Sequence, residues 1–330
     1  MIPVMNVKTM RSSVKQPVLR KRRRISLIAN VRRHAYHYLL ALPGIVFLIM
    51  FRIIPALGSV IAWQNYSIFG GILGSQWVGW QNFHDMIAYH DFTRILSNTL
   101  ILGFLRVVFT FAPPIILALL ITEVQNQRFK RVVQTLVYLP HFLSWVIVSQ
   151  LVINILSPQG GLVNVALGRI FGTEPVFFMA RESFFRPIFV SATIWKTSGF
   201  ESIIYLASIA AIDPQLFDAA AIDGAGRMQQ IWRITLPSIF PTIVILTLLR
   251  IGNFLNIGFD QIYTLSNPLT WGVADIFDTY VYRVGLLGGA YSLTTAVNLF
   301  KAVVGFVLLK GCDSLAQRLT GSSLFGVQSR

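Results

Sequence analysis

The chain has 330 residues, 54% of them hydrophobic and only 12% charged, with a mean hydropathy of +0.63, whereas an ordinary soluble domain carries roughly 25% charged residues. That composition excludes a water-soluble globule. The 28 basic and 13 acidic residues give a formal charge of +15, and the placement of the bases carries more information than their sum.

A bilayer core needs roughly 20 predominantly apolar helical residues. Six stretches qualify, near Tyr36 to Trp63, Ile95 to Glu123, Val132 to Leu156, Phe184 to Ile212, Pro237 to Asn256 and Thr294 to Leu309. They predict an all-α membrane protein of about six transmembrane helices. The first stretch is too long for a cleaved signal peptide, contains Pro43 and Pro55, and follows a long basic tail, so it is expected to stay as a membrane helix. Pro113 and Pro114 interrupt backbone hydrogen bonding in the second stretch, and a kink is expected there.

Lys and Arg set the orientation. The segment Met1 to His34 includes Arg20, Lys21, Arg22, Arg23 and Arg24; Arg128, Lys130 and Arg131 follow the second stretch; Arg227 and Arg233 lie in the fourth connection; Lys310, Arg318 and Arg330 lie at the end. Alternate connections hold Arg94, Arg169, Arg181 and Arg283. A split of about 18 to 4 places both termini in the cytoplasm, because basic flanks resist translocation. The expected organisation is a basic cytoplasmic arm over 1–35, a transmembrane domain over 36–312 and a cytoplasmic tail over 313–330.

The run Leu19 to Arg24 has the composition of a nucleic-acid patch, but beside six apolar spans it reads as a solvated arm drawn to anionic lipid headgroups. No nucleic-acid partner is expected. Cys312 stands alone, so no disulfide, zinc or redox chemistry is expected. His34, His37, His84, His90 and His141 lack metal-ligand spacing, so no metal site is expected either.

The fourth connection, 213–237, does not belong in a membrane. Asp213 suits an N-cap and Pro214 a first helical position, so a short helix begins there; Asp223-Gly224 interrupts it. A second short helix from about Ala225 to Arg233 is expected before Pro237 opens the next span. Ala219, Ala220 and Ala221 present little bulk, while Phe217, Ile222, Ile231 and Trp232 offer apolar contacts. Such an element suits insertion into another protein's groove, or serves as a plain hairpin.

The string Asp218-Ala219-Ala220, three residues, Gly224, nine residues, Ile234-x-Leu236-Pro237 closely resembles the EAA loop of binding-protein-dependent ABC importer permeases, EAA-x3-G-x9-I-x-L-P. Asp218 in place of Glu is the one departure; it keeps the charge on a shorter arm. Gln76 to Phe83 resembles the first outer loop of carbohydrate permeases. Gly258 to Leu265, with Thr279 to Gly285, resembles the subgroup moving oligosaccharides, including uronate-rich, alginate-like ones.

The resemblance implies a type I ABC importer permease fold with a cytoplasmic coupling helix. The loop residues Asp218, Ala219, Ala220, Ala221, Asp223, Gly224, Ile234, Leu236 and Pro237 would then engage an ATPase. It also implies two cytoplasmic ATPase subunits carrying ATP and Mg, a second and different permease chain, an external sugar-binding protein, and a bacterial cytoplasmic membrane location. No G-x-x-x-x-G-K-[ST] phosphate loop occurs in the sequence, which fits ATP binding on a partner.

Charged residues inside spans usually face a cavity, a partner helix or one another. The candidates are Arg52, Arg106, Lys196, Glu201, Arg250, Asn253 and Lys301. For Arg52, Arg106 and Lys301, snorkelling or interhelical bonding is the expected role. In maltose-type members of the family, sugar contacts come from the spans flanking the coupling loop. Lys196 and Phe200 on one of these, and Arg250, Asn253 and Phe254 on the other, fall at helical spacing and are the expected substrate-pathway residues. Two cations there favour an acidic saccharide; with Lys196 and Glu201 compensating each other instead, a neutral oligosaccharide fits as well.

An ion-gradient-driven secondary transporter is a competing reading, and so is an ABC permease for a non-sugar solute. An enzyme is not expected. The pairs Asp85 with Asp91 and Asp275 with Asp278 have glycosidase-like composition but read as solvated faces of outer connections, so no catalytic residue is assigned.

Overall fold

The computed structural model describes residues 35–320. The basic arm up to His34, residues 321–330 and the Cys312 side chain lie outside the described residues. The chain forms two compact units, one ending at Leu57 and one beginning at Gly58. In the first, a helix Ala35–Leu48 runs through Pro43 into a π-helical turn, Ile49–Ile53. No residue from 35 to 57 is buried, Arg52 included. A helix that is apolar and uncovered on every side suits lipid, and this one opens the candidate span Ala35–Trp63.

In the second unit an antiparallel strand pair, Gln64 opposite Trp77 and Asn65 opposite Gln76, lies in the connection before the second span. That span, Phe92–Glu123, is one helix of 32 residues. It continues without a break through Pro113 and Pro114. A sharp break falls in the third span. Helix Gln127–Tyr138 starts under Asn126, whose side chain accepts from the amides of Arg128 and Phe129. A 3-10 turn, Leu139–Phe142, ends it. A second helix, Trp145–Leu156, then begins under a Ser144 cap, bent 104° from the first. Pro140 cannot donate in the closing turn and Ser144 supplies the next helix with its first acceptor, so local chemistry places the break.

The fourth span, Glu182–Ala210, lies along the second. Leu102, Phe185 and Phe189 pack with Ile257 and Ile262 in one cluster; Ile115, Ala118, Tyr205, Ile209 and Ile239 form another. Lipid offers apolar helices little hydrophobic reward for pairing, so close fit and hydrogen bonds hold them. Gly199 shows how close the fit to the third span is: a Cβ there would lie 1.8 Å from the Val137 carbonyl oxygen.

The fifth span departs from expectation. A single run, Arg227–Gly252, passes through a π-helical turn at Ile231–Thr235 into helix Leu236–Gly252; no separate helix ends near Arg233. The wide turn ends two residues before Pro237, which has no N–H to give, and lets one helix continue where two are expected. The last candidate span is Tyr291–Gly311. With each bent pair taken as one span, the helices long and apolar enough to cross a bilayer number up to six.

The connection between the fifth and sixth spans overturns the solvated face expected for Asp275 and Asp278. The Asp275 side chain is 1% exposed and pairs with Arg283 at 2.6 Å, while Thr279 donates to it at 2.7 Å. Asp278 pairs with Lys301 at 2.6 Å. Charged groups leave water only with partners, and these two cations hold the carboxylates inward. Burial alone would lower the Arg283 guanidinium, but the hydrogen bond and charge of Asp275 hold it above its ordinary value. Burial pushes the nearby Tyr280 hydroxyl up to about 12. Asp85 does lie exposed, accepting from Gln81 at 2.9 Å, and half-buried Asp91 pairs with Arg94 at 2.9 Å.

Candidate functional site

Two features stand out: a charged cavity between the second, fourth and fifth spans, and the exposed loop between the fourth and fifth. The cavity has a volume of about 430 Å³ and is lined by Arg106, Glu201, Arg250, Asn253, Phe254 and Asn256, among others.

The second span's prolines help to build it. In an α-helix the Thr110 carbonyl would accept from the amide of residue 114, but Pro114 has none. Arg250 fills that place: its Nη1 donates to the Thr110 carbonyl and, at 3.1 Å, to the Thr110 hydroxyl. Its Nη2 forms an ion pair with Glu201 on the fourth span. Arg106 Nη1 donates to the carbonyls of Asn256 at 2.7 Å and Ile257 at 2.8 Å, just past the end of the fifth span. Arg106 has no carboxylate of its own among the described residues.

Of the expected pathway residues, the structure brings Arg250, Asn253 and Phe254 to this cavity and does not bring Lys196 or Phe200 there. Lys196 is buried, and its Nζ donates to the carbonyls of Pro140 at 3.5 Å, His141 at 2.8 Å and Leu143 at 2.5 Å. Nζ also sits 5.4 Å from the Trp145 ring. Three donors meet three carbonyl oxygens, at the end of a helical turn that favours a cation. Lys196 is thereby a clamp on the broken third span, and Glu201 pairs with Arg250 rather than with it. Phe200 stacks on His141 at 3.9 Å with an interplanar angle of 5°, part of the same clamp. Arg106 and Glu201 enter the site from the intramembrane charges read as packing or compensating groups. Their partners lie up to 151 residues away in sequence, beyond the reach of local spacing.

The loop forms for local reasons. Asp213 accepts from the Gln215 amide at 3.0 Å and Pro214 takes the first turn of helix Pro214–Ile222. That helix is bent 70° from the fourth span. At its end the Ala225 amide reaches the Ala220 carbonyl at 2.8 Å and the Gly224 amide the Ala221 carbonyl at 3.1 Å. Gly224 has a φ of +78°. These paired bonds make a Schellman closure, whose left-handed position favours glycine, and so explain why a glycine follows Asp218-Ala219-Ala220 at that distance.

The motif divides in two. Leu236 packs against the cluster of Tyr205 and Ile239, Thr235 is buried and Ile234 is half-buried, while Pro237 is exposed in the first turn after the π-helical segment. Asp218, Ala219, Ala221 and Asp223 are exposed, and Asp218 has no partner among the described residues. Around them, Leu216, Ile222, Met228 and Trp232 are exposed apolar side chains, Ile222 at 87%. Arg227 ties the loop to the end of the second span through Glu123 at 2.8 Å. One end of the motif is rooted in its own fold and the other presents an apolar surface, the pattern of an interaction site.

Apolar spans around a charged cavity, with a short helix projecting from one connection, define an integral-membrane component of a transport system. Residues 114–319 match the family model for the binding-protein-dependent transport system inner membrane component, and the chain belongs to that family. It is 43% identical over 309 residues to "Protein LplB" of Bacillus subtilis (strain 168), covering 94% of this chain and 97% of that one. It is 44% identical over 308 residues to the polygalacturonan/rhamnogalacturonan transport system permease protein YteP of the same strain, covering 93% and 96%. Among solved structures it is similar, with a TM-score of 0.82 and 40% identity over 89% of this chain and 99% of the other, to a chain of a bacterial ABC transporter involved in the import of the acidic polysaccharide alginate.

Proposed function

We propose that this chain is the membrane-spanning permease subunit of an ATP-driven importer for oligosaccharides, with uronate-containing ones as its substrates. The observation that carries the reading is the cavity in which Arg106 and Arg250 stand against the single carboxylate of Glu201. Guanidinium forks match carboxylate geometry, Asn253 can donate to and accept from sugar hydroxyls, and Phe254 offers an apolar ring face. Similarity to proteins named for polygalacturonan transport and alginate import supports the same class. Glu201, the acid that an ion-coupled transporter would use, is engaged by Arg250.

In this reading the helix Pro214–Ile222 is the coupling helix. Its exposed face, Asp218 to Asp223, seats in a cytoplasmic ATPase, two copies of which bind and hydrolyse ATP with Mg. Ile234, Leu236 and Pro237 carry the movement into the fifth span. A second permease chain of different sequence completes the pathway, and an external binding protein delivers the sugar. Both termini face the cytoplasm of a bacterial cell, and this chain performs no covalent chemistry. ATP closure and sugar delivery shift the spans between inward-facing and outward-facing states through differential binding.

The test is co-expression with the candidate ATPase and second permease, followed by reconstitution with the binding protein. Co-purification of all subunits and ATP-dependent uptake of a uronate oligosaccharide are expected. Cross-links from Ile222 that reach only this chain, with no ATPase retained, would overturn the coupling assignment.

A further inference from the structure

The cavity holds two guanidiniums and one carboxylate, so one positive charge is surplus among the described lining residues. A charge inside a bilayer is costly unless paired. Arg250 meets that demand with Glu201 and with the Thr110 carbonyl and hydroxyl. Arg106 donates only to the carbonyls of Asn256 and Ile257, neutral acceptors, and shares the one carboxylate, Glu201, with Arg250. The Glu201 side chain is 36% exposed, against 17% for Arg250, so the carboxylate itself borders the open space. A substrate carboxylate arriving there would neutralise the surplus; a second would find none left.

Resting on the importer reading above, we infer that Glu201 is an internal counter-carboxylate: it limits the cavity to one surplus positive charge, so that one substrate carboxylate is held at a time, while that surplus gives the preference for acidic over neutral sugar. A pathway must bind tightly enough to admit its cargo and weakly enough to release it. With Glu201 present, an incoming uronate meets one guanidinium bonded only to neutral carbonyls and competes with a resident carboxylate for the other. Without it, two guanidiniums would grip the same uronate. Binding that does not weaken along the path lowers the half-saturating concentration and slows turnover.

The experiment uses the full reconstituted complex with saturating binding protein. Uptake of a uronate trisaccharide and of a neutral trisaccharide is measured for wild type, Glu201→Gln, Arg106→Gln and the double variant. Glu201→Gln is expected to lower the half-saturating uronate concentration by about tenfold, the order of one charge-assisted contact, and to lower the maximal rate. Arg106→Gln, which removes the surplus charge, should abolish the preference for uronate. The double variant, back at one surplus charge, should recover most of that preference. Arg106→Gln strands no counter-ion and keeps the test open if Glu201→Gln does not assemble. A uronate-transporting wild type with Glu201→Gln or Arg106→Gln indistinguishable from it would overturn the role of Glu201 while leaving the importer intact. A wild type that carries only neutral sugar would overturn both.

Discussion

Arg250 donates to the main-chain oxygen of Thr110, the acceptor that Pro114 leaves without a helical partner. A backbone defect in one span is thus the docking point for a cation on another. Pro114→Ala restores an amide that competes for that oxygen and gives the helix a better former. The expected outcome is a melting temperature equal to or above wild type, with a half-saturating uronate concentration raised severalfold, as Arg250 loses part of a charge-assisted bond. Detergent melting curves and uptake assays on the same preparation check it. Unchanged uptake would show that the proline pair does not position Arg250.

The clamp on the third span separates structure from transport. Lys196→Met keeps most of the apolar stem but removes the ammonium from the carbonyls of Pro140, His141 and Leu143. The Pro140 carbonyl keeps the Leu143 amide, but the half-buried His141 and Leu143 carbonyls lose this donor. Leaving buried acceptors unpaired costs about 1–3 kcal/mol, so a lowered melting temperature is expected. The ratio of uronate to neutral uptake should stay as in wild type, because Lys196 does not line the cavity. A shift in that ratio with no thermal change would return Lys196 to the substrate path. Lys196→Arg is expected not to rescue stability, since a planar fork cannot reproduce three diverging donors.

What the sequence made legible was local. Apolar length marked the spans. Asp213, Pro214 and Gly224 marked the start and stop of the loop helix through cap chemistry that needs only neighbours. The break at Pro140 and Ser144 had local signals too, but they lay inside an apolar run long enough to read as one span. Lys196 and Arg250 share the same intramembrane rarity and differ only in what meets them, carbonyls 53 to 56 residues away for one and a carboxylate 49 residues away for the other. Spacing along a single helix cannot distinguish a clamp from a cavity wall. Asp275 differs from its solvated expectation for the same reason: its burial depends on a pair with Arg283, eight residues on, whose guanidinium lies against the Trp271 ring. Its apolar neighbours Val273, Ala274, Ile276 and Phe277 were nonetheless a local hint of an inward position.

Asp275→Asn leaves Arg283 without its counter-ion. Removing one member of a buried pair costs about 3–5 kcal/mol, and the low end applies because the Arg283 side chain retains 32% of its exposure. The expected result is a clear fall in melting temperature, partly recovered in Asp275→Leu with Arg283→Met, since apolar replacements can match a buried pair. Equal melting for Asp275→Asn and wild type would mean that the pair does not secure this connection.

Ile222 is 87% exposed at the end of the loop helix, so its own fold gives it little to do. Ile222→Asp is therefore expected to change the stability of the isolated permease by no more than about 0.5 kcal/mol, the usual range for surface substitutions, and so to leave its melting temperature nearly unchanged. In the co-expressed complex the same change puts a charge into what the importer reading makes a dry groove, where an unpaired carboxylate costs several kcal/mol. Retention of the ATPase should fall by tenfold or more, and sugar uptake with it. A control, Ile170→Asp, alters an equally apolar and exposed residue, 71% exposed, outside the loop, and should retain the ATPase. Loss of the ATPase in both variants would point to general misassembly, and retention in both would leave the loop without the docking role assigned to it.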